Sequence, residues 1–128
     1  MVAPIIPALT DHEIEAILKA VHDAGALAAG YVLLRMPLEI KDLFRQWLET
    51  EFPDRARRVI ALMQSMHGGR DYTSTFHMRQ RGTGPYAEQI AKRFRLALKR
   101  IGMDTPNLPL RTDLFRRPTP QGGQFPLL

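Results

Sequence analysis

The 128-residue chain contains no cysteine, which excludes disulfides, thiolate nucleophiles and any metal or iron–sulfur centre held by thiolates of its own. That absence fits a reducing compartment, and the chain is expected to be cytoplasmic. Long apolar runs are missing too: none approaches the ~20 residues that cross a bilayer. The N-terminus lacks the basic-then-apolar layout of a signal peptide, and no membrane partner is expected. Four histidines, His12, His22, His67 and His77, show no ligand spacing such as HExxH. They indicate neither a metal site nor a catalytic residue.

What is present is an ordinary 45% of apolar residues, enough for one modest core. Charge is divided along the chain. Residues 1–54 hold 4 Lys/Arg against 9 Asp/Glu, a balance of −5, whereas residues 55–117 hold 14 against 4, a balance of +10. A basic second half points to phosphate, nucleic acid or an acidic partner surface, or simply to a solvated face.

The chain opens on Ile5 and Ile6 between two prolines, which confine strand pairing to a few residues. Thr10-Asp11-His12-Glu13 has the spacing of a capping box. Ile14, Ile17, Leu18 and Val21 follow on one helical stripe, and Gly25 ends it. Residues 30–34, Gly-Tyr-Val-Leu-Leu, form a continuous apolar run, the pattern of a strand buried on both faces in a parallel sheet. Pro37 opens a second helix with the stripe Ile40, Leu43, Phe44, Trp47 and Leu48. Pro53 starts a third, with Ala56, Val59, Ile60 and Met63 inward. Residues 68–84 read as a long Gly/Arg-rich loop. Pro85 starts a last helix with Tyr86, Ile90, Phe94, Leu98 and Ile101 inward, and Gly102 stops it. The organisation expected is therefore residues 1–52 as two β/α units, 53–102 as a helical extension, and 103–128 as an extended tail, docked only if Leu114 and Phe115 find a surface.

A helix-joined pair of parallel strands needs further strands to bury its faces. The fold class expected is α/β: a C-terminal fragment of a partial (β/α) barrel, two parallel strands with a basic helical extension. The best local site candidate is Arg79-Gln80-Arg81-Gly82-Thr83-Gly84-Pro85. It combines two glycines, two forked donors and a helix N-terminus, a combination suited to an anion. The bland reading is a connector whose arginines pair with nearby carboxylates. Arg70 and Tyr72 of Gly68-Gly69-Arg70-Asp71-Tyr72 face the same cleft or merely cap a helix. Arg35 stands at the carboxyl end of the second strand, the edge that carries ligand sites in α/β sheets; its bland role is a pair with Glu39. Tyr31, Phe44, Trp47 and Phe94 fall on apolar stripes and read as core.

Taken together, residues 4–13, 30–37, 68–72 and 79–85, with Gly122-Gly123-Gln124 in the tail, resemble the C-terminal part of radical S-adenosylmethionine proteins. The branch is the one related to spore photoproduct lyase, often described as DNA-repair-like. The resemblance implies a partial (β/α) barrel whose CxxxCxxC loop holds a 4Fe-4S cluster that cleaves S-adenosylmethionine to a 5′-deoxyadenosyl radical. It sets residues 3–11 on the fifth strand and the GxIxGxxE loop, and residues 29–35 on the sixth strand. Ile6 falls on the pattern's Ile, beside the adenine, and Ala8 on its second Gly; Pro4 and Asp11 stand at the Gly and Glu positions. The cysteine loop and the first four strands are not in this sequence, so the chain alone is expected to bind neither S-adenosylmethionine nor a cluster and to be inert. Its expected partner is the N-terminal barrel half, in the same parent chain or a separate polypeptide. Arg35, Arg70, Arg79 and Arg81, with Gly82 and Gly84, would guide an anionic substrate. The alternative is a basic helical module that binds nucleic acid or a protein without catalysis, and a homo-oligomer that hides its strand edges is a third reading.

Overall fold

The computed structural model describes residues 1–72, 74–76, 78–104 and 111–116. Strand β1 (Val2–Ile5) leads through a 3-10 turn (Asp11–Glu13) into helix α1 (Ile14–Asp23), then strand β2 (Tyr31–Leu33). Helices α2 (Ile40–Glu51), α3 (Pro53–Met66), α4 (Met78–Arg81) and α5 (Pro85–Arg100) follow. The two strands pair in parallel, Val2 opposite Tyr31 and Ile5 opposite Leu33, with an irregularity between these positions. Val2 N–H donates to the Gly30 carbonyl at 2.8 Å, and Leu34 N–H to the Ile5 carbonyl at 2.9 Å. The architecture is α/β, mostly helical, around a two-stranded parallel sheet.

The sheet is covered on one side. Val2, Ile5, Tyr31 and Leu33 are buried, whereas Ala3 and Pro4 are exposed and Val32 and Leu34 only half-buried. The expectation of a second strand buried on both faces is thus corrected, because the contacts that bury it come to the Tyr31 and Leu33 side. Phe94 of α5 meets Tyr31 with ring centroids 4.8 Å apart, and α1 packs on β1 and α5 through Ile14 and Leu18. Each such fully buried aliphatic chain removes apolar area worth ~2 kcal/mol from water. A single cluster runs from Val2 to Ala97 through α3, which contributes Ala56, Val59, Met63 and Met66. Across residues 52 and 53 the chain turns between helices α2 and α3, which pack on each other.

Three further sequence expectations change. Thr10 makes no side-chain cap at the helix start; its hydroxyl turns back and accepts the Ile6 N–H at 2.9 Å. Thr10 therefore closes the loop after β1 instead of starting α1, and the helix is entered through the 3-10 turn. Residues 68–84 are not continuous loop, since α4 forms within them. The α2 stripe is mostly uncovered: Ile40, Leu43 and Trp47 are 45%, 63% and 43% exposed, and Leu48 alone is fully buried. Helix α2 packs on α3 rather than on the sheet, so only its Phe44 and Leu48 side meets the core. Leu114 and Phe115 are exposed as well. The Gly122-Gly123-Gln124 match and His77 lie outside the described residues.

Candidate functional site

The carboxyl ends of both strands open onto one edge, lined by residues 6–11 after β1 and residues 34–38 after β2. The first rim is tightly wound. Leu9 and Thr10 N–H both donate to the Ile6 carbonyl, at 3.1 and 2.9 Å. Ala8 sits at φ 58, a left-handed conformation that disfavours an L side chain and suits glycine. Ile6, which the resemblance sets beside the adenine, is half-buried and packed against the core.

Asp11 is buried beneath this rim. The Tyr86 hydroxyl at the start of α5 donates to Asp11 Oδ2, and the Ala8 amide serves the same phenol oxygen. Burial and then the neighbouring Asp11 carboxylate push the Tyr86 phenol above its ordinary pKa. The loop after β1 is thereby tied to α5 by a buried polar pair. No local pattern signals this link, which joins residues 75 positions apart.

The second rim carries Arg35. One of its terminal nitrogens donates to Tyr72 Oη at 3.3 Å, and the guanidinium carbon lies 5.8 Å from the Tyr72 ring centroid. Its Nε is buried and has no hydrogen-bond partner among the described residues. The bland alternative, an Arg35–Glu39 pair, is not found among the described residues. Tyr72 is positioned by its predecessor: Asp71 Oδ1 accepts from Arg45 of α2 at 2.6 Å and from Gln64 of α3 at 2.9 Å. Burial opposes ionisation of Asp71, but the hydrogen bonds from Gln64 and Arg45 outweigh it and leave the carboxyl below its ordinary pKa.

His67, at the end of α3, is only 4% exposed. Its Nδ1 donates to the Met63 carbonyl at 2.8 Å, since a carbonyl can only accept. Nε2 is left buried without a hydrogen-bond partner among the described residues. Its sequence context, one turn beyond a buried methionine, marks it as core-facing and nothing more.

The arginines proposed as one anion guide are distributed. Arg35 stacks on Tyr72. Arg81 lies over the Tyr31 ring at 4.1 Å, Arg79 over Phe76 at 5.3 Å, and Arg70 is exposed. No polar contact among the described residues joins any two of them. Gly82 (φ 64) brings the chain close to the core rather than to open space: a Cβ there would stand 3.1 Å from Met66 Cβ and 3.2 Å from Leu33 Cδ1. Thr83 N–H then donates to the Met66 carbonyl at 2.9 Å. Arg81, Gly82, Thr83, Gly84 and Tyr31 do line a shared cleft of about 390 Å³, but Glu88 lines it too. Arg81 is already engaged by Tyr31, and that carboxylate opposes a bound anion.

Among the described residues no group of three or more His, Asp or Glu is placed to hold a metal ion, and no helix is long and apolar enough to cross a membrane. No family model, curated protein or solved structure matches the chain.

Proposed function

We propose that this chain is the C-terminal portion of a radical S-adenosylmethionine enzyme related to spore photoproduct lyase, supplying two barrel strands and part of the cofactor wall. The observation that carries the reading is the conformation of the loop after β1. Ala8, which falls on a glycine of the family pattern, holds a left-handed backbone that the pattern's glycine would adopt without strain. A parallel strand–helix–strand unit with helices on one side and, among the described residues, a free edge on each strand supports it further. So does Ile6, half-buried at the carboxyl edge, where ligands of parallel sheets bind.

The residues present fit only one side of the cofactor. Ile6 and the backbone at Ala8 would line the adenine side, and the buried Asp11–Tyr86 pair would hold that loop rigid against α5. A cluster requires thiolates, and with no cysteine in the chain these must come from the barrel half that carries CxxxCxxC. When bound, the cluster supplies the electron that cleaves the sulfonium.

Mixing or co-expressing the chain with a cysteine-bearing N-terminal half from this family tests the reading. Reductive formation of 5′-deoxyadenosine that depends on both polypeptides is the expected result. A cluster-loaded partner that cleaves no faster with this chain than without it overturns the proposal.

The basic-module alternative keeps one specific observation. Arg55, Arg57 and Arg58 on α3 and Lys92, Lys99 and Arg100 on α5 are exposed, and none enters an ion pair among the described residues. Retention on DNA or RNA that weakens steeply with salt would favour that reading.

A further inference from the structure

Two surfaces outside the strand-edge site complement each other. The first is the free face of α2, where Ile40, Leu43 and Trp47 lie uncovered. Glu39, Asp42 and Glu51 share that helix and its N-terminal flank. Glu39 and Glu51 enter no ion pair among the described residues, and Asp42 meets only its neighbour Lys41 at 3.8 Å. The second surface is a cleft of about 570 Å³ between the approach to β2 and the C-terminal half of α5. Its floor is apolar, from Ala28, Ala29, Leu96 and Met103, and its rim bears Lys92, Arg95 and Lys99 against Asp104 alone. None of those three cations is ion-paired among the described residues.

We propose that the chain self-associates by seating α2 of one copy in the α5 cleft of another. An amphipathic helix laid into an apolar groove is a recurrent mode of recognition. Here the helix border is acidic and the groove rim basic, matching the −5 and +10 balances of residues 1–54 and 55–117. The alternative of α2 pairing with α2 sets Glu39, Asp42 and Glu51 of both copies into one interface, where like charges repel. Contact between unlike surfaces is heterologous. Two reciprocal contacts close a dimer, and single contacts extend a chain of copies.

Trp47 is the only tryptophan and sits on the docking face, so its emission reports the contact directly. Sedimentation velocity of the whole chain across a wide concentration range, at low and high salt, is read alongside Trp47 emission. Association that grows with concentration, weakens with salt and shifts the emission to the blue is expected. Lys92→Glu with Lys99→Glu weakens association about tenfold or more, and mixing that variant with Glu39→Lys/Glu51→Lys protein restores it. Leu43→Glu, at an exposed position that leaves the core untouched, abolishes it. A monomer at every concentration overturns the proposal, whether its Trp47 is solvated or already covered within the chain. Association that Leu43→Glu abolishes but α5 charge reversal leaves intact overturns it as well, because α2 then docks elsewhere. The assay contains no S-adenosylmethionine, so neither result bears on the enzymatic reading.

Discussion

Replacing Gly82 by alanine puts two separable penalties on one methyl group. The residue stands at φ 64, where an L side chain costs ~1 kcal/mol or somewhat more. Its new Cβ would also meet Met66 Cβ at 3.1 Å, Leu33 Cδ1 at 3.2 Å and the Met66 carbonyl oxygen at 3.3 Å. Only Leu33 Cδ1 is the end of a side chain, and packing on every side limits how far it can give. Met66 Cβ is fixed to α3, its carbonyl is engaged by Thr83 N–H, and Leu33 is fully buried. Overpacking of this kind costs about 1–3 kcal/mol, while the stiffer unfolded chain returns about 0.5 kcal/mol. The sum is a loss of ~2.5 kcal/mol, or ~10 °C in Tm for a domain of this size. Gly69→Ala supplies the control. It has φ 81 with nothing within 4 Å of its Cβ, so it carries only the backbone term of ~1 kcal/mol less the same unfolded-chain return, a net loss of about 0.5 kcal/mol. Urea denaturation followed by circular dichroism, at unchanged m-value, gives both numbers. Equal losses at the two positions would refute the packing argument, as would a Gly82→Ala protein within ~0.5 kcal/mol of the parent, a typical surface-substitution effect.

Ala8→Gly relieves the left-handed strain at φ 58 and is expected to raise stability by up to ~1 kcal/mol, or at worst leave it unchanged, in the same assay. Tyr86→Phe strips the buried Asp11 carboxylate of its phenol donor and should lose about 1–3 kcal/mol. The Tyr86 phenol is held above its ordinary pKa by burial and by Asp11. Its contribution is therefore complete below the ordinary tyrosine range and is lost as pH rises through the folded value, so the alkaline loss should be smaller in Tyr86→Phe. Asp71 has the opposite sign. Its pKa is lowered on folding despite burial, by Gln64 and Arg45, so its contribution is present above the unfolded carboxyl pKa. It is lost as acid titrates the folded group. In Asp71→Asn the acid limb of a stability–pH curve should flatten.

Local pattern made the helices and their order legible. Pro53 and Pro85 stand at first helical positions, where a missing N–H is harmless. Ala56, Val59 and Met63 bury as their spacing requires. Periodicity could not say how much of a stripe finds a partner, and there α2 departs from expectation: Trp47 and Leu48 are neighbours in sequence but about 100° apart around the helix, and of the two only Leu48 is buried in the core. Thr10 departs from its expected role for a related reason. The capping-box spacing is satisfied in sequence, but the hydroxyl has a nearer donor in Ile6 N–H once the loop after β1 winds back. At the candidate site, the arginines were visible as types but not as partners. Arg81 is drawn to Tyr31 and Arg35 to Tyr72 by cation–π contacts between residues far apart in sequence. The Asp11–Tyr86 pair had no local signature at all.

The two open surfaces of this fold differ in kind and therefore in what can close them. Among the described residues the outer edges of the strand pair have no backbone partners, and a free β edge is satisfied only by another strand, or by water at no gain. The α2 face lacks side-chain partners, since its backbone bonds are internal to the helix and any complementary apolar surface serves. A barrel half that completes the sheet would protect the amides along the outer edges of Val2–Ile5 and Tyr31–Leu33 from hydrogen exchange while leaving Trp47 emission tied to α2 alone. Self-association through the α5 cleft would do the reverse, shifting Trp47 with no new protection in either strand. Because helix docking adds no ladder hydrogen bond, the two closures are independent in principle, and one chain can undergo both. A variant such as Leu43→Glu should therefore abolish the second while leaving strand protection by a cysteine-bearing partner unchanged, and loss of both together would mean that α2 belongs to the barrel interface after all.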